Sequence, residues 1–147
     1  MEALVLAQRT RHPLHQTAVV VSNRAEVEGV ARAVRLGVPV EVVEQVHDGH
    51  RRSRAEHEEE ILHRLEQYDV ELIVLSGYMR LLSPTFLAAW QGRVINIHPS
   101  LLPHFPGAHA HRDVLASGTT VSGCTVHLVD EGMDTGAIIA QRIVPVF

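Results

Sequence analysis

Lysine is missing from this chain: all 13 basic residues among its 147 are arginine. The absence reads as compositional bias, so an arginine carries function only where it stands beside a motif. Cysteine is nearly missing as well. Cys124 is the only one, which excludes an internal disulfide and makes a reducing, cytoplasmic compartment the simplest fit. No apolar run approaches the ~18 residues of a membrane span. The opening Met1–Ala7 has no basic segment ahead of an apolar one and reads as the middle of a helix rather than a signal peptide. A net charge of −4 and a pI near 6.2 leave no basic footprint for nucleic acid.

What is present suits an ordinary globular domain. Hydrophobic residues make up 46% and charged residues 20%, and the length fits one domain with a modest core. Residues 2–9 carry a short amphipathic helical pattern ended by His12 and Pro13. The β-branched run 16–22 predicts a buried strand. Asn23 with Glu26 predicts a capping box for a helix over 25–36, stopped at Gly37. Residues 38–43 predict a second strand, at a sheet edge because of Pro39. The His-rich stretch 46–52 reads as a loop. Ser53 with Glu56 predicts a second capping box, for a helix to about Tyr68. The run Glu58-Glu59-Glu60 reads as a solvated face of that helix.

Residues 70–75 predict a third strand. Ser83-Pro84 opens a short helix to Trp90, with proline where no N–H is missed. A fourth strand over 93–98 runs into the proline-rich loop 99–107. A helix over 109–116 and two β-rich runs, 120–129 and 137–146, complete the pattern, joined by the acidic loop Asp130–Gly136. Strands alternating with helices predict an α/β fold with a mostly parallel central sheet flanked by helices, the two late strands making a mixed edge.

The chain is organised around Asn96-Ile97-His98-Pro99. Asn96 and His98, two residues apart on a strand, share a face. That face is expected to be the polar one, with Ile95 and Ile97 on the other. An amide can donate to a developing oxyanion and an imidazole can carry a proton near neutral pH. The plainer alternative is a polar strand end capped by a turn. In α/β sheets ligands bind beyond the carboxyl ends of the strands. Three polar segments are expected there: 77–84, 96–103 and 130–136. His109 and His111 form a His-x-His pair without the further ligands a metal needs, so no metal is expected. Cys124 reads as a small buried residue and His104 as exposed.

The run Asn96-Ile97-His98-Pro99-Ser100-Leu101-Leu102-Pro103, with Asp134-Thr135-Gly136 downstream, resembles the formyltransferase domain that uses 10-formyltetrahydrofolate. Phe105-Pro106-Gly107-Ala108-His109-Ala110-His111-Arg112 narrows the resemblance to the phosphoribosylglycinamide (GAR) formyltransferases of purine synthesis. Methionyl-tRNA formyltransferases and formyltetrahydrofolate deformylases follow the Asn-x-His core differently. The resemblance implies a Rossmann-like fold and formyl transfer from 10-formyltetrahydrofolate to the amine of GAR. It implies small-molecule partners, with neither nucleic acid nor membrane.

Asn96, His98 and Asp134 match the family's catalytic trio: oxyanion donor, imidazolium acid, and the carboxylate that keeps the imidazole charged. Met79, Arg80, Leu81 and Leu82 match the segment lining the pterin pocket. Asp130, Glu131, Gly132, Met133 and Asp134 match the loop closing it. Arg54 matches the arginine near the folate.

Relative to that family, the first strand and the Gly-rich phosphate loop ending Gly-Ser-Asn are expected ahead of Met1, and a helical tail is expected after Phe147. By that comparison residues 1–147 form one domain, incomplete at both ends. The other reading is a truncated or degenerate folate-binding homologue without efficient catalysis.

Overall fold

Ser53 shows how local chemistry starts an element. Its hydroxyl accepts from the Glu56 N–H at 3.2 Å, and the Glu56 carboxylate accepts from the Ser53 N–H at 2.6 Å. Two donors that the first helical turn leaves orphaned are thereby satisfied. The computed structural model describes all 147 residues, and the chain forms two compact units, Met1–Val70 and Glu71–Phe147.

The first unit holds α1 (Glu2–Ala7), β1 (Val20–Ser22), α2 (Glu28–Arg35), β2 (Val40–Val42), β3 (Val46–His47), β4 (His50–Arg51) and α3 (Arg54–Glu66). β1 and β2 pair in parallel, Val20 opposite Val40, with α2 as the crossover between them. Gly37 follows α2 at φ +73°, a left-handed position that glycine takes without strain. The buried residues are Val5, Ala33, Val43 and Leu65, with His57 and Glu58 among them.

Three expectations are corrected in this unit. Asn23 caps nothing: the Ser22 hydroxyl bonds back to Arg24 in a tight turn, and α2 starts later from Val27 with no side-chain cap. The stretch 46–52 is a small hairpin, because Asp48-Gly49 takes positive φ at both positions (49° and 78°), the two-residue turn that matches strand twist. Glu58 is not part of a solvated face. It is 5% exposed and lies 3.4 Å from Arg54 Nε one turn earlier, while Glu59 faces water.

The second unit holds β5 (Ile73–Leu75), α4 (Pro84–Ala89), β6 (Val94–His98), α5 (Ala110–Ala116), β7 (Val121–Leu128) and β8 (Ile138–Pro145). These strands form one sheet in the order β5-β6-β7-β8. β5 and β6 are parallel, bridged by α4; β6–β7 and β7–β8 are antiparallel. The α/β class therefore stands, with the late strands supplying the antiparallel part. Ser83 caps α4 through the Phe86 N–H, with Pro84 at the first helical position. Leu82, Phe86, Trp90, Val94, Leu102, Ala110 and Val114 are buried. The Arg93 guanidinium stacks 4.5 Å over the Trp90 ring.

Asn96 and His98 share the polar face of β6, as expected, but that face is not the solvent side. The face of Val94, Asn96 and His98 is the covered one, with His98 4% exposed, whereas Ile97 is 42% exposed. Loop 99–107 folds back over the polar face and is bonded there to Thr125. Hydrogen bonds to that loop make burial of polar side chains tolerable. Gly123 belongs to the same fit: a side chain there would collide with the Arg142 carbonyl and with Leu101, which lies across the sheet. Cys124 is half-buried rather than buried, and His104 is exposed as expected.

Candidate active site

β6 and β7 place Asn96 opposite His127 and His98 opposite Thr125. Directly opposed residues share a face, so the four form one polar patch. β5 runs parallel to β6, with Leu75 opposite Asn96, so the segment after β5 leaves the sheet at the edge where His98 sits. Asp134 arrives differently from the expected strand-end rule. β7 is antiparallel to β6, so the loop after Leu128 starts at the opposite edge and doubles back over the face. Gly136 makes that return possible, since a side chain there would strike the Leu128 carbonyl. Asp134 itself takes φ +55°, a conformation aspartate tolerates better than most residues.

The resulting geometry is specific. Nε2 of His98 lies 2.9 Å from the Phe105 carbonyl, which can only accept, so that nitrogen carries a proton. Nδ1 of His98 lies 3.4 Å from Asp134 Oδ1. An imidazolium satisfies both contacts. The other Asp134 oxygen accepts from the Gly107 N–H at 2.8 Å. Loop 99–107 thus holds both members of the pair.

Asn96 has a partner that the sequence reading did not single out. Nδ1 of His127 donates to the Leu128 carbonyl at 2.8 Å, leaving Nε2 to accept from Asn96 Nδ2 at 3.3 Å. That contact aims the amide nitrogen into the patch and uses one of its two protons. The second proton is not engaged by that contact. His127 Nε2 is also 3.6 Å from Asp134 Oδ1. His127 is 2% exposed and Asp134 has 10% of its side chain exposed. The signal for His127 was its phase: it alternates with Thr125 and Gly123, the inward set of β7.

Asn96, His98 and Asp134 are therefore brought together, while the other expected site residues divide. Leu82 is 5% exposed and part of the core; Met79 and Leu81 are 73% and 44% exposed. Arg80 is exposed on the same segment. Asp130 builds its loop from within, its Oδ1 accepting from the Gly132 N–H and the Thr135 hydroxyl. Glu131, Gly132 and Met133 are exposed. Arg54 belongs to the first unit, at the first turn of α3 beside Glu58. His109 and His111 are exposed and lie outside the polar patch.

A family model described as formyl transferase matches residues 1–147. The trifunctional purine biosynthetic protein adenosine-3 of Gallus gallus is 47% identical over 99% of this chain, and the chain spans 14% of that relative. The phosphoribosylglycinamide formyltransferase of Escherichia coli K12 is 37% identical over 100% of this chain, which covers 68% of its length. The crystal structure of the phosphoribosylglycinamide formyltransferase from Brucella melitensis superposes with a TM-score of 0.89 at 44% identity, covering 99% of this chain and 73% of that one. The Rossmann-like α/β fold is shared with these structures. Matched from end to end and similar in sequence and structure to single-function relatives, this chain belongs to the formyl transferase family.

Proposed function

We propose that this domain transfers a formyl group from 10-formyltetrahydrofolate to the amine of phosphoribosylglycinamide, in purine biosynthesis in the cytoplasm. The observation that carries the reading is the joint placement of an amide donor, a carboxylate-paired imidazole and a second histidine on one covered sheet face.

The amine nitrogen attacks the formyl carbon, and a C–N bond forms as the carbonyl electrons move to oxygen. The second Asn96 amide proton donates to that oxyanion. The imidazolium of His98 adds its charge and passes a proton to N10 of the folate as the N10–carbon bond breaks. The attacking nitrogen, now an amide, gives up a proton in return. Tetrahydrofolate and the formylated product leave. Asp134 orients the imidazole through Nδ1, while Nε2–H exchanges the Phe105 carbonyl for the reacting group.

Met79, Arg80, Leu81 and Leu82 are assigned to the pterin side, with Asp130, Glu131, Gly132 and Met133 as its closing loop. An exposed apolar pair, Met79 and Leu81, suits an aromatic heterocycle better than water. No residue of this chain is assigned to the substrate phosphate, and no metal is used. The test is a formyl-transfer assay with both substrates on the full polypeptide that contains this chain. Formylated product and tetrahydrofolate in equal amounts are expected. Release of free formate without transfer to the amine would move the assignment to a hydrolase.

A further inference from the structure

Gln141 ends a row that crosses three strands: His98 faces Thr125 on β7, and Thr125 faces Gln141 on β8. Its amide nitrogen donates twice, to the Leu102 carbonyl at 2.8 Å and to Thr125 Oγ1 at 3.0 Å. The Thr125 hydroxyl, fully buried, donates to the Ser100 carbonyl at 2.7 Å and accepts from the Leu102 N–H at 3.0 Å. Every proton and lone pair of that hydroxyl is used, so its one proton cannot also serve Gln141. The direction of the amide follows: its nitrogen, not its oxygen, must face the loop.

We propose that Gln141 is a positioning residue for His98, acting through loop 99–107. The proposal rests on the reading of His98 as the acid of formyl transfer. The base of the loop is fastened by the Thr125 and Gln141 bonds at Ser100 and Leu102. From that base the one proton of Ser100 Oγ is shared between the carbonyls of His104 (2.6 Å) and Phe105 (3.1 Å). The Phe105 carbonyl receives His98 Nε2–H, and two residues on the Gly107 N–H meets Asp134. A short chain of bonds thus runs from β8 to both sides of the His98 ring. Gln141 touches neither His98 nor Asp134, and its backbone belongs to an exposed strand. A hydrogen-bonded network of this kind holds geometry only while each member is satisfied.

The test uses the full polypeptide with Gln141→Leu, which keeps bulk and removes both donors, and Gln141→Glu, which keeps shape and turns acceptors toward the Leu102 carbonyl. Steady-state kinetics are read together with the His98 Nε2–H resonance in histidine-labelled protein. We expect kcat to fall about 10- to 100-fold, the scale of a misplaced catalytic group, with both KM values within about twofold. The Nε2–H signal should be lost to solvent exchange in both variants. An unchanged or raised kcat overturns the proposal. So does a fall in kcat with the signal intact, or an effect confined to KM. Failure of both variants to fold, seen by circular dichroism, makes Gln141 a fold residue and overturns it too. Full activity in His98→Ala would sink the catalytic reading instead, and the resonance would still decide whether Gln141 holds the ring.

Discussion

His57, on α3, and His98, at the end of β6, are 2% and 4% exposed. Each donates Nε2–H to a backbone carbonyl: His57 to Val43 at 2.7 Å, His98 to Phe105 at 2.9 Å. There the likeness stops. Nδ1 of His98 faces a carboxylate, and an amide and a second histidine share its sheet face. His57 has the carbonyl bond alone, tying a helix to the end of β2. Burial and one carbonyl bond fasten a histidine into a fold. A carboxylate on the second nitrogen gives the ring an ion-pair partner that His57 lacks.

The comparison is sharpened most by removing each ring. His98→Ala should lower turnover about 10²–10⁴-fold, the range for a general acid. His57→Ala should leave turnover within about twofold and cost about 1–3 kcal/mol of stability, because the Val43 carbonyl is left buried without a donor. Urea unfolding and steady-state kinetics on the pair decide it. Equal turnover losses would erase the distinction.

Asn96→Ala comes next. A fall of about 10²–10³-fold in turnover is the usual loss for one oxyanion donor, and the affinity for a folate analogue should change far less. Calorimetry beside the kinetic assay separates the two. A loss carried wholly by folate affinity would make Asn96 a binding residue.

The smallest effect belongs to the helix that carries His57. The Ser53 backbone N–H, then its hydroxyl, hold the Glu56 carboxyl below its ordinary range. A carboxyl lowered in the folded state adds stability that is present above its unfolded value, about 4.3, and is lost as pH falls through the folded one. Glu56→Gln should therefore be slightly less stable than the parent at pH 7, with the gap closing below about pH 4. Turnover at pH 7 should not move. A loss of turnover there would tie α3 to the chemistry and weaken the contrast between the two histidines.

Much of this was legible in residues taken singly. Ser53 and Glu56 announced their helix because a capping box is satisfied within four residues. Ser83-Pro84 did the same. The Asp48-Gly49 turn was legible too, although the two-residue strands beside it are too short to show an alternation. Asn96 and His98 stood out because two reactive groups shared one short strand, and the motif around them, with Asp134 downstream, carried the family. His127 escaped because its one mark, the phase it shares with Thr125 and Gly123, does not say what it faces. Thr125 and Gln141 read as ordinary polar positions in β-rich runs.

Resemblance to a known family pointed to Asp134 and to formyl transfer; by itself the sequence determined most of the helices and strands, the α/β class, and an amide beside an imidazole on one strand. These follow from bonds closed over a few residues and from side-chain chemistry that needs no context. The tertiary structure decided which face of β6 is covered and by which route Asp134 reaches His98. It also made His127 the partner of Asn96 and set Gln141 at the end of the row from His98. Strand pairing joins residues 11 to 33 positions apart, and its register is set by the sheet as a whole. Loop 99–107 then supplies the hydrogen bonds that let the polar face of β6 lie inside, which alternation along one strand cannot decide.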